Sequence, residues 1–80
     1  MGTNGISVSA GFTTPDLDEA LIKREAIRHS HVSYILADHS KFGVTASVTF
    51  SDLSDCYIIT DTKADQKYSK ETVIKTALKK

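Results

Sequence analysis

Two short apolar runs, each closed by an aspartate, constrain the fold of this chain more than any other feature. Val32-Ser33-Tyr34-Ile35-Leu36-Ala37 stops at Asp38-His39-Ser40-Lys41, and Tyr57-Ile58-Ile59-Thr60 stops at Asp61. Compact runs rich in β-branched and aromatic residues read as buried strands. A helix precedes the first of them. Thr14 can cap it, Pro15 suits a first helical position, and Asp16, Asp18 and Glu19 favour the positive end of the helix dipole. Leu17, Ala20, Leu21 and Ile27 repeat at helical spacing, and Ile22 and Ala26 widen the apolar stripe. Lys23, Arg24 and Arg28 follow towards the negative end, so the pattern predicts a helix over residues 15–29.

The remaining segments are shorter. Asn4-Gly5 favours a turn near the start, and Gly11 and Gly43 read as turn glycines. Residues 46–50 alternate as a short strand, 51–55 form a turn or one helical turn, and 63–69 form a polar loop. The tail, 70–80, fits a helix through Val73-Ile74 and Ala77-Leu78, or a strand through the β-branched residues from Thr72 to Thr76. These elements predict an α/β fold with a mostly parallel sheet. Ligands of such sheets bind at the carboxyl ends of the strands, where Asp38 and Asp61 stand.

Lys plus Arg and Asp plus Glu balance at ten each, whereas a free-standing nucleic-acid binder carries a basic excess. No apolar run is long enough to span a bilayer and no leader pattern is present, so a soluble, cytoplasmic chain with no membrane partner is expected. Eighty residues allow one small domain with a modest core. The single cysteine, Cys56, reads as a buried strand thiol, since no motif supplies it with a base.

Asp38-His39-Ser40-Lys41 is the most informative local group. A carboxylate, a hydroxyl and an ammonium at a strand end can bind a polyol, and the same composition also suits a polar loop with a cap. Lys23 lies four residues after Glu19, which fits an exposed ion pair and equally a ligand-facing cation. His29, His31 and His39 match no metal-ligand spacing, and no glycine-rich phosphate loop or nucleophile elbow occurs, so neither metal nor cofactor is expected.

Four strings, in order, resemble the effector domain of DeoR-family transcription repressors. They are Gly2-Thr3-Asn4-Gly5-Ile6-Ser7; Gly11-Phe12-Thr13-Thr14-Pro15-Asp16 with Glu19-Ala20 and Lys23; Leu36-Ala37-Asp38-His39-Ser40-Lys41-Phe42-Gly43; and Ile58-Ile59-Thr60-Asp61. The set is most similar to fructose operon repressors of Gram-positive bacteria, then to lactose phosphotransferase system repressors. The resemblance implies that residues 1–80 are the C-terminal portion of an effector-sensing domain, without the helix-turn-helix domain through which such repressors bind DNA. It implies a partial Rossmann-like sheet of ribose-5-phosphate isomerase type that self-associates as a homo-oligomer. The implied effector is a phosphorylated sugar, fructose 1-phosphate or tagatose 6-phosphate. Asp38 would accept from its hydroxyls, Lys23 and Lys41 would meet the phosphate or nearby oxygens, and Asn4 with Gly5 would line the opposite wall.

Isomerases of that fold carry a similar Ala-Asp-x-Ser-Lys string, matched by Ala37, Asp38, Ser40 and Lys41. Counting back without gaps from Asp38 puts Lys23 where they hold a carboxylate base. A protonated lysine is a poor base at neutral pH and a good anion ligand, so the resemblance implies binding without catalysis. The alternatives are an isomerase-like enzyme and a structural or oligomerisation domain with a decayed site.

Overall fold

A computed structural model describes residues 1–61 and 66–76. The chain is α/β, but its strands divide into two three-stranded sheets, one antiparallel and one parallel, instead of one mostly parallel sheet. The division begins where a turn was expected. Asn4-Gly5 leads into β1 (Gly5–Ser7), which turns through residues 8–10 into β2 (Gly11–Thr14), with Ile6 opposite Phe12. Ser7 Oγ accepts from the Ala10 N–H at 3.0 Å, and Gly11 closes the hairpin at φ 77°. A Cβ on Gly11 would meet the Ser51 carbonyl at 2.3 Å, so glycine serves both the conformation and the close approach. β4 (Val48–Ser51) pairs antiparallel with β2, the register shifting between Phe12 and Thr13.

Thr14 therefore ends a strand, fully buried, and capping passes to Asp16, whose carboxylate accepts from the Asp18 N–H at 2.9 Å. The helix, α1 (Leu17–Arg28), starts at Leu17 instead of Pro15. It lies on β2 and β4 through Ala20 and Ile27, and Arg24 donates to the Thr49 carbonyl at 2.7 Å. Leu17, Leu21 and Ile22 from the predicted stripe are 58%, 51% and 70% exposed. A stripe is buried only where a surface meets it, and here the sheet meets the Ala20 side.

β3 (Tyr34–Leu36), β5 (Tyr57–Thr60) and β6 (Ile74–Thr76) form the parallel sheet in the order β3-β5-β6, with Ile35 beside Ile58 and Ile58 beside Ile74. The tail is thus a strand over Ile74–Thr76, while residues 77–80 lie outside the described residues. Within the expected polar loop, α2 (Gln66–Ser69) buries Tyr68 edge-on against Phe42, ring centroids 4.8 Å apart; residues 62–65 lie outside the described residues. Leu53–Asp55 is the expected single helical turn. Cys56 is buried just ahead of β5, 3.7 Å from Ser51 Oγ, and that burial pushes its thiol pKa up. Ile6, Phe12 and Phe50 from one sheet and Ile35 and Ile58 from the other supply the centre of the core.

Candidate functional site

Two isolated parallel bridges tie the sheets together, Gly2 with Leu36 and Ile6 with Phe42. Residues 3–5 and 37–41 are strung between these same two ties. Asn4 and Gly5 thus lie on one of the two segments between the ties, and Asp38 and Lys41 on the other, which leaves the carboxyl end of β3. Short backbone bonds set both ends: Leu36 N–H to the Met1 carbonyl at 2.7 Å, and Gly43 N–H to the Ile6 carbonyl at 2.7 Å.

The Asp38 turn shapes itself. Its Oδ1 accepts from the Ser40 N–H at 2.9 Å and also from the Ser40 hydroxyl, capping a 3-10 turn over His39–Lys41. The Ser40 hydroxyl, then the Ser40 amide, holds the exposed Asp38 carboxyl below its ordinary pKa of 3.8. Lys41 is half-buried and its charge acts in the same direction on Asp38. Across the sheet end, Asp61 accepts from the His39 N–H at 2.8 Å and lies 3.1 Å from His39 Nδ1. The His39 ring is the largest cause lowering the Asp61 pKa.

The opposite wall is more tightly built. Asn4 N–H donates to the Thr13 carbonyl at 3.0 Å, and Asn4 Oδ1 accepts from Thr14 Oγ1 at 3.2 Å. Gly5 leaves no room for a side chain: a Cβ would come within 2.2 Å of the Val44 carbonyl. Lys23 approaches this wall from α1, with Nζ 2.8 Å from the Gly2 carbonyl, 3.5 Å from Glu19 Oε1 and 5.1 Å from the centre of the Phe50 ring. Successive carbonyls of an extended segment point opposite ways, so Met1 faces β3 and Gly2 faces Lys23. Lys23 is therefore engaged behind the wall, and no direct contact joins it to Asp38 or Lys41 among the described residues. Of the two accounts of Lys23, the Glu19 pair forms, and the same ammonium is also bonded to the segment leading to Asn4.

Two hollows among the described residues lie elsewhere. One of about 120 Å³ sits at the amino ends of β3 and β5, lined by His31, Ser33, Asp55 and Cys56 among others. A broader groove of about 340 Å³ runs beside Arg24, Arg28, Thr49 and Asp52. Neither includes Asn4, Gly5, Lys23, Asp38 or Lys41. The His39–Asp61 contact was not foreseen: from the sequence His39 took a structural or solvent-facing role, with no partner named. The available signal was the aspartate ending each apolar run, because parallel pairing sets those two ends side by side.

The DeoR C terminal sensor domain family matches residues 1–62. The uncharacterized HTH-type transcriptional regulator FruR of Bacillus subtilis (strain 168) is 47% identical over 79 residues, covering 94% of this chain and 31% of that protein. The HTH-type transcriptional regulator IolR of the same organism is 33% identical over 70 residues, 86% of this chain and 28% of its own length. The HTH-type transcriptional regulator GlpR of Haloferax volcanii is 36% identical over 66 residues, 81% of this chain and 26% of its own. The chain thus spans about a third or less of the length of the curated relatives it matches.

Proposed function

The chain belongs to the DeoR family of C-terminal sensor domains, and from that premise we propose that it is the C-terminal portion of an effector-sensing domain that binds a phosphorylated sugar. One observation carries the reading. An ionised, exposed Asp38 stands at the carboxyl end of a parallel strand, in a turn tied at both ends to the segment holding Asn4 and Gly5. Carboxylates in that setting accept from vicinal hydroxyls. Lys41, on the same turn, meets the phosphate or its neighbouring oxygens, and Asn4 with the flat backbone at Gly5 forms the facing wall. Lys23 adds positive charge from behind, where its 3.5 Å pairing with the exposed Glu19 carboxylate is a weak competitor.

On this reading β3, β5 and β6 are part of a ribose-5-phosphate isomerase-type sheet working as a sensor in a cytoplasmic homo-oligomer. Operator DNA is contacted by a helix-turn-helix domain outside these residues, consistent with the chain's balanced charge. The effector alters repression only through a preference for one conformer over another. Fructose 1-phosphate is the first candidate and tagatose 6-phosphate the second.

An amide-correlation NMR spectrum with and without millimolar fructose 1-phosphate tests this. Shifts confined to the surroundings of Asn4, Asp38 and Lys41 are expected, and Asp38→Ala should abolish them. A folded spectrum that ignores both sugar phosphates would overturn the assignment.

A further inference from the structure

We propose that His39 and Asp61 form a positioning clasp for the effector site, so that effector affinity depends on a pair that need not touch the effector. This rests on the reading above. Asp61 takes both donors of His39, the N–H at 2.8 Å on Oδ1 and the ring Nδ1 at 3.1 Å on Oδ2. Two parallel contacts fix orientation as well as distance, as they do in other bidentate carboxylate pairs. With Asp61 ionised, Nδ1 carries the proton, and Nε2 is left outside the contact.

The clasp matters because of what else holds the turn. The bonds from Ser40 to Asp38 give the turn its shape without anchoring it to a neighbouring strand. The ladder between β3 and β5 ends at Ala37 N–H on the Ile59 carbonyl, 3.0 Å. Beyond that point the turn is anchored at its far end, by Gly43 on Ile6, and at its near end by His39 on Asp61. Asp38 precedes the near anchor and Lys41 lies between the two, so the clasp sets where both charged groups stand. Among the described residues, Asp61 is the charged group in contact with the imidazole.

Fructose 1-phosphate affinity is measured by titration calorimetry on the wild-type chain, His39→Ala and His39→Asn. His39→Ala should bind about five-fold more weakly, and His39→Asn, whose amide can donate from near the Nδ1 position, should recover most of that. Equal losses in both variants would overturn the clasp. In the ligand-free chain, removing the ring in His39→Ala should shift the Thr60 and Asp61 amide resonances, and His39→Asn should shift them less. If those amides ignore the ring while sugar phosphate still binds, the clasp alone fails. If the wild type binds no sugar phosphate, the effector reading fails, and the affinity dependence proposed here falls with it.

Discussion

In the antiparallel sheet every residue of β1 and β2 is buried, whereas in the parallel sheet β3 alternates, with Ile35 buried between exposed Tyr34 and Leu36. The usual distribution is the reverse, since antiparallel sheets commonly face water on one side and parallel sheets are covered on both. Here α1 lies against β2 and β4, while residues 43–46 close over Gly5 and Thr13. The parallel sheet buries the face carrying Ile35 and Ile58 and leaves Tyr34, Leu36 and Tyr57 exposed. Regions with fewer buried contacts open at lower cost. A sensor needs one part that holds its shape and one that can change arrangement, and burial favours the parallel sheet for the second role.

The largest test of that contrast compares two aromatic truncations. Phe12 is fully buried and stacks on Phe50 with ring centroids 6.1 Å apart. Phe12→Ala should cost about 3–5 kcal/mol, close to the whole stability of a small domain, and abolish a cooperative melt followed by circular dichroism. Tyr34 leans on Tyr57 at 5.4 Å and is 39% exposed, so Tyr34→Ala should cost only about 1 kcal/mol. Comparable losses would erase the distinction between the sheets. A smaller effect sharpens it. Thr13 Oγ1 accepts from the Ala46 N–H at 2.9 Å, and Thr13→Val keeps the shape while removing the acceptor. We expect a loss of about 1–3 kcal/mol, seen as a lower urea midpoint at unchanged m-value. An unmoved midpoint would mean that water reaches Ala46 and that the antiparallel sheet is open on that side.

The parallel half was the legible half. Tyr57–Thr60 falls where its apolar run lies, and the strand ends carry the expected aspartates. Periodicity reports burial, and where burial follows a simple rule it can be read directly. Of the antiparallel half, β4 was legible in the alternating residues 46–50, but β1 and β2 were hidden for the same reason. β1 and β2 are buried through Thr13, Thr14, Ser7 and Gly11, whose interior setting depends on partners far along the chain, such as Ala46 for Thr13. Thr14 looked like a helix cap because Pro15 and three acids follow it, and only the pairing of Thr14 with Val48 makes it a strand residue. The stripe on α1 misled in the opposite sense, since Leu21 and Ile22 show an apolar face without showing what meets it. Of the site, the Asp38–Lys41 turn was visible as a string, whereas the His39–Asp61 contact depends on register between strands more than twenty residues apart.

The smallest effect concerns the end of the parallel sheet, where Asp38 and Asp61 are both held below the ordinary carboxyl value of 3.8. The sign follows from linkage. On acidification the unfolded chain takes up these protons first, so their contribution is present above pH 3.8 and is lost as pH falls below it through the lowered folded values. Because both side chains are exposed, the change should be confined to the acid limb. Wild-type stability should fall more steeply below about pH 4 than that of Asp38→Asn or Asp61→Asn, measured by urea unfolding at a series of pH values. Hydrogen exchange run alongside locates the effect. Faster exchange at Ala37, His39 and Ser40, with Phe12 and Thr13 unchanged, would place the loss in the parallel sheet alone. Equal acid slopes would mean that solvent, not Ser40 and His39, sets these carboxylates. Faster exchange reaching Phe12 and Thr13 would mean that the two sheets open as one unit, and a separate responsive half could then not be maintained.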